Sequence, residues 1–199
     1  MWPTSSSKSI NTVDCLIRGF QLKCERPKTF KVNDIKSAKN AFKAGSYVVT
    51  EEGIEGMRNH LDRHPHDYKV ALTYARALSK YSPCDDGKIA YQLAAEGALV
   101  KEMKLAVEIF REYLTKYLKP FDHELTFQLS LLTEQYGDAH FATQGLESVI
   151  NEEDVAQAML VKSLKENIRI CKDLGFHEIA IMQKGQLESL TINKGGELS

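Results

Sequence analysis

Long apolar runs are missing from this chain. No window approaches the roughly 20 consecutive apolar residues that cross a bilayer, and the most apolar early stretch, residues 13–22, is broken by Asp14, Arg18 and Gly19. The opening Met-Trp-Pro-Thr-Ser-Ser-Ser-Lys never builds the apolar core of a secretory signal. Cysteine is scarce and scattered. Cys15, Cys24, Cys84 and Cys171 contain no C-x-x-C pair, which argues against a zinc ribbon or thioredoxin-type site and favours free thiols in a reducing compartment. A Cys15–Cys24 disulfide is the alternative left open. Glycine (12) and proline (5) form no repeat or run, which excludes a collagen-like or propeller chain. Charge of one sign is also lacking. Lys+Arg 26 against Asp+Glu 27 gives a net of −1, so the whole chain is neither a basic nucleic-acid coat nor an acidic tail.

What is present is enough apolar side chain for a core, 43% of 199 residues, with 27% charged. These proportions suit one globular domain of cytoplasmic type, or the soluble domain of a larger, membrane-associated protein. The charge is uneven. Residues 1–50 carry nine basic side chains (Lys8, Arg18, Lys23, Arg26, Lys28, Lys31, Lys36, Lys39, Lys43) and three acidic ones (Asp14, Glu25, Asp34), a net of +6. The rest of the chain therefore carries −7.

From residue 32 onward helical periodicity takes over, and the chain reads as all-α. Ile35, Ala38, Ala41 and Phe42 recur at helical spacing up to Gly45. Thr50 followed by Glu51, Glu52 and Glu55 is an N-cap with acids at the positive helix end, and that helix runs to His64, before Pro65. Asp67 opens a helix with Val70, Ala71, Tyr74, Ala77 and Leu78 on its face. Residues 88–118 contain no proline and would make one helix of roughly 46 Å; a turn near 101–104 is the compact alternative and is preferred. Pro120 and Asp122 start the next helix, Tyr136-Gly137-Asp138 breaks it, and a shorter one covers Phe141–Ile150. Asn151 to Asp154 has capping-box spacing and predicts a helix from there to Leu174, closed by Gly175. Ile179–Leu190 is the last helix. The expected organisation is a basic, partly disordered segment 1–31, a helical domain 32–190 and a disordered tail 191–199. Tyr47-Val48-Val49 is the one brief strand expected after residue 32, and residues 13–31 read equally as a helical face or a short strand.

Helices of this length joined by short turns call for a test of internal repetition. Ala106, Ala142 and Ala180 align at spacings of 36 and 38 residues. Four residues later stand Phe110 and Leu146, with Lys184 breaking the pattern; seven later come Tyr113, Val149 and Leu187. Leu93-Ala94 and Leu129-Ser130 precede the first two alanines at a common distance. A small residue allows two helices to approach closely, and larger residues one turn on fill the groove to the next pair. The stretch Leu129-Ser130, Tyr136-Gly137-Asp138, Ala142, Leu146 and Val149 resembles the helix–turn–helix of the tetratricopeptide repeat. Leu93-Ala94 with Ala106, Phe110 and Tyr113 is a second match, and Gly53, Met57, Leu61 and Pro65 look like a remnant of another second helix. The family's first-helix tryptophan is absent, since Trp2 is the only one, the spacings exceed the usual period of about 34, and the helix after Asp67 cannot be phased.

The resemblance, covering roughly residues 34–190, implies a TPR-like right-handed α-solenoid of antiparallel helix pairs and a non-enzymatic role as adaptor, scaffold or assembly factor. First helices would line a concave groove for a protein or peptide, and the matching positions are Lys88, Tyr91, Phe127, Glu134 and Gln135. The Lys/Asn set with which some relatives grip a C-terminal carboxylate is not reproduced. A regulator touching nucleic acid or an anionic surface through residues 1–50 is the alternative, though no helix-turn-helix reading pattern accompanies the charge; homodimerisation stays open.

No catalytic constellation, cofactor or metal is expected. His60, His64 and His66 put two imidazoles on one helical face, but Pro65 interrupts and no H-E-x-x-H carboxylate is present. Asp85-Asp86-Gly87-Lys88 lacks the glycine and Ser/Thr of a phosphate loop. The acidic groups at residues 51–55 and 152–154 sit at expected helix starts, where they stabilise the dipole.

Overall fold

The computed structural model describes residues 30–42, 47–80 and 82–192. Among these, nine helices and one pair of short strands form the chain: β1 (Phe30–Val32), α1 (Ile35–Ala41), β2 (Tyr47–Val49), α2 (Glu51–Leu61), α3 (Tyr68–Leu78), α4 (Asp85–Lys101), α5 (Met103–Tyr117), α6 (His123–Gln135), α7 (Ala139–Ile150), α8 (Gln157–Asp173) and α9 (His177–Ile192). The fold is mostly helical, as its periodicity predicts.

The strands supply the first difference. β1 pairs in parallel with β2, Phe30 opposite Tyr47 and Val32 opposite Val49, with α1 as the crossover. Residues 30 and 31 thus join the folded body, and Val32 is fully buried. Thr50 then links strand to helix. Its N–H donates to the Val32 carbonyl (3.0 Å), while its hydroxyl accepts from the Gly53 N–H (3.1 Å) and caps α2. A Cβ on Gly53 would lie 2.5 Å from the Val32 carbonyl oxygen, so this glycine serves the strand contact.

Helix α3 could not be phased because it has no single buried face. Val70 through Ala75 are all buried, six residues in a row, as expected for a helix covered on several sides, here by α1, α2 and α4. The long helical stretch breaks at Glu102 (φ −150°, ψ 69°), dividing it into α4 and α5 where a turn was preferred. The expected helix start at Asn151 is not realised. Asn151 instead closes α7, its N–H bonded to the Glu147 carbonyl, and α8 begins at Gln157. Asn and Asp stabilise turns as readily as caps, so such a cluster does not say which end of a helix it serves.

α6 and α8 end in the same turn. Gly137 and Gly175 both adopt positive φ (87° and 81°). The Asp138 N–H donates to the Thr133 carbonyl and the Phe176 N–H to the Cys171 carbonyl, each one residue beyond the glycine. This double closure leaves the left-handed position to glycine, and the two turns lie 38 residues apart, like Ala142 and Ala180.

Side chains tie alternate helices together. The Gln92 amide on α4 donates to Asp122, the N-cap of α6 (3.0 Å), and Glu134 on α6 meets Arg169 on α8. Phe110 of α5 packs edge-on to Phe141 of α7 (6.0 Å), and Arg111 pairs with Asp138 at the start of α7 (2.8 Å). His140 of α7 then meets Phe176 beside α9 (5.4 Å).

Ala106, Ala142 and Ala180 are all buried. Ala142 packs with Leu146 and Ile170, bordered by Phe127 and Leu174. Ala142→Leu should therefore overpack this junction and lower the unfolding free energy by roughly 1–3 kcal/mol, read by urea denaturation. An unchanged midpoint would show that the junction does not need a small residue.

Candidate functional site

The sequence-derived groove residues separate once placed in three dimensions. Lys88 is half-buried on the first turn of α4, and Gln135 is exposed at the end of α6. Phe127 is half-buried because it covers the Ala142–Leu146–Ile170 cluster. Glu134 is held by both terminal nitrogens of Arg169, at 2.8 and 2.6 Å, the two-pronged geometry in which guanidinium binds carboxylate best. Arg169 also bonds Glu166 (2.9 Å), and the two carboxylates raise its already high pKa.

Tyr91 leaves the set. It is fully buried, so it offers no surface to a partner. Its ring packs against Tyr113 and Tyr117 of α5, and its hydroxyl joins a polar network that the helical register does not disclose. The Tyr91 hydroxyl donates to Glu112 Oε1 (2.5 Å) and accepts from the Lys116 ammonium (2.6 Å). Arg76 reaches the same carboxylate through Nε (2.9 Å) and Nη2 (2.7 Å), and its Nη1 donates to the Phe42 carbonyl (2.5 Å). Three charged or polar side chains, Arg76 from α3, Tyr91 from α4 and Lys116 from α5, thus meet around Glu112.

Burial acts to raise the Glu112 carboxyl, but hydrogen bonds from Arg76, Tyr91 and Lys116 outweigh it and bring the pKa down to about 2. Burial, then Glu112, pushes the Tyr91 phenol well up. Held in its protonated form, the phenol serves as a donor to the Glu112 carboxylate. The Glu112–Lys116 spacing of i, i+4 was visible in the sequence; that Arg76 and Tyr91 would converge on it was not.

The histidines occupy a cleft of about 740 Å³ between α1, the α2–α3 loop and the end of α4. The His60 and His64 rings lie 4.7 Å apart, and His60 Nε2 contacts Asp67 Oδ2 at 2.9 Å. Lys39 reaches the same oxygen at 2.7 Å. Burial would raise the Asp67 carboxyl, but Lys39 and His60 prevail and hold it below its ordinary value. Asp67 is thereby drawn off its helix and makes no side-chain cap to α3. Among the described residues no group of three His, Cys, Asp or Glu side chains is arranged to hold a metal.

Cys84 is an exposed free thiol and Cys171 a buried one; Cys15 and Cys24 lie outside the described residues, as does most of the basic segment. Among the described residues no helix is long and apolar enough to cross a membrane. Comparison with protein-family models, curated proteins and solved structures gives no match.

Proposed function

We propose that this chain is a non-enzymatic interaction module, a TPR-like right-handed α-solenoid whose first helices α4, α6 and α8 present a surface to a protein or peptide. The reading rests on how the helices are tied. First helices are tied to first helices through Gln92–Asp122, at the N-cap of α6, and Glu134–Arg169, and second helices to second helices through Phe110–Phe141 and, at the residue preceding α9, His140–Phe176. Stacked pairs require that segregation, because it leaves one continuous face of first helices. The matching turns at Gly137 and Gly175 support the same register.

Phe127 and Glu134 stabilise the stack through Ile170 and Arg169, so changing them would mix folding with binding. Lys88 and Gln135 are the cleaner probes. A Lys88→Glu, Gln135→Lys double variant should capture its partner at least about tenfold more weakly, with the helical circular-dichroism signal unchanged. The partner is first identified by mass spectrometry of proteins that co-purify with the intact chain. Deleting residues 1–29 should leave capture largely intact. The alternative, an anionic partner held by residues 1–50, predicts the reverse: capture lost with the basic segment and falling steeply with salt.

A further inference from the structure

We propose that the cleft between α1, the α2–α3 loop and the end of α4 binds a small soluble anion carrying two or more phosphate groups. The inference concerns a different surface from the first-helix face and holds whether or not that face binds a protein.

Charge is the first ground. Lys39, Arg63, Lys69 and Lys101 line the cleft, against the single carboxylate of Asp67. Asp67 is already engaged by Lys39 and His60, so the lining carries an excess of three positive charges before any imidazole is protonated. Arg63 and Lys101 are exposed and have no carboxylate within ion-pair distance among the described residues. The Lys69 ammonium lies over the Phe42 and Tyr68 rings, at 5.3 and 5.8 Å. Glu102, the acid next to Lys101, does not line the cleft; its carboxylate accepts from the Tyr68 hydroxyl at 3.4 Å and keeps its charge. Like charges held together with one shared counter-charge repel one another, and a multivalent anion relieves that repulsion.

Shape is the second ground. The cations come from four places in the chain, α1, the α2–α3 loop, α3 and the last residue of α4, and border one recess. A strand of nucleic acid needs cations along a track, whereas a single recess of this volume falls in the range of small-ligand sites, about 300–1,000 Å³. Chemistry is the third ground. Guanidinium, ammonium and imidazole N–H groups are all donors, and Arg63 can bind phosphate oxygens in pairs. Exposed charges are individually weak in water. A monovalent anion therefore gains little here, while a polyphosphate meets several cations at once.

The probe is inorganic tripolyphosphate, added to the full chain at 1 mM in low salt. Thermal unfolding should shift up by about 3 °C or more, and sulfate at matched ionic strength should give a third of that shift or less. Arg63→Glu with Lys101→Glu should abolish the shift. Lys162→Glu with Lys172→Glu, an equal charge change on exposed α8 positions, should keep it, as should deletion of residues 1–29. Should the Arg63/Lys101 variant fold poorly by circular dichroism, amide NMR of the wild type decides: perturbations should centre on residues 60–69 and 101–102. No shift in the wild type, a shift that survives Arg63→Glu/Lys101→Glu, one lost equally in the α8 control, or perturbations centred on residues 1–29 would each overturn the proposal.

Discussion

Replacing Phe110 by alanine is expected to lower the unfolding free energy by about 3–5 kcal/mol and to uncouple the two halves of the helical body. Phe110 is fully buried. Its ring meets Phe121 at 6.1 Å and the edge of Phe141 at 6.0 Å, so one side chain on α5 touches the entry to α6 and the start of α7. It also closes over Gly145: a Cβ there would strike the Ser130 hydroxyl and come within 2.9 Å of the Phe110 ring. The void left by alanine is bounded on one side by a helix crossing that is already close, which limits how far the surroundings can collapse into it. In a stack of pairs each unit contacts only its neighbours, so weakening one junction should separate the cooperative units on either side. Urea unfolding followed by circular dichroism should then show a lower slope or two transitions. A single transition of unchanged slope, with a loss under about 1 kcal/mol, would mean that α5 is not the joint.

Helix existence and order were legible because the punctuation is local. Thr50, Asp122, Gly137 and Gly175 act within a turn or two of their own positions, and the structure uses each of them as a boundary, whereas α2 ends at Leu61, short of the stop expected at His64 and Pro65. Where the outcome depended on what lies across the core, the sequence was ambiguous. Tyr91 has the spacing of a groove position, but it is buried against Tyr113 and Tyr117 of α5, and no periodicity within α4 reveals which residues of another helix pack on it. The pairing of Phe30–Val32 with Tyr47–Val49 needs a partner 17 residues away and only three residues per strand, too few for an alternation to be read. The last pair was faint for a third reason. Ser163 and Asn167 on α8 and Gln183 on α9 are buried, while Ile181 and Met182 are exposed, so polarity does not mark the buried face of α9.

The Glu112 network leads to the second large effect, and it is pH-dependent. Glu112→Gln should cost roughly 2–4 kcal/mol at pH 7, because Arg76 and Lys116 lose their shared counter-charge in a partly buried setting. The sign follows from the depressed carboxyl. In the folded protein Glu112 titrates at about 2, below the 4.5 of an unperturbed glutamate. Its contribution is therefore fully present above about pH 4.5 and is lost as the pH falls towards 2, where the folded carboxyl also takes up its proton. A separation of this size corresponds to about 3 kcal/mol, comparable to the loss expected from the substitution itself. Wild-type stability should thus drop between pH 4.5 and 2, and the drop should be shallower in Glu112→Gln. Asp67 is held low too and titrates in both proteins, so the difference between the two curves isolates Glu112. Tyr91→Phe provides an internal check. It removes one donor to the carboxylate but leaves Arg76 in place, so it should narrow the pH-dependent difference without erasing it. Parallel wild-type and Glu112→Gln curves from pH 7 to pH 2 would show that Arg76 and Glu112 do not act as a pair, and that α3 is held by its packing on α1, α2 and α4 alone.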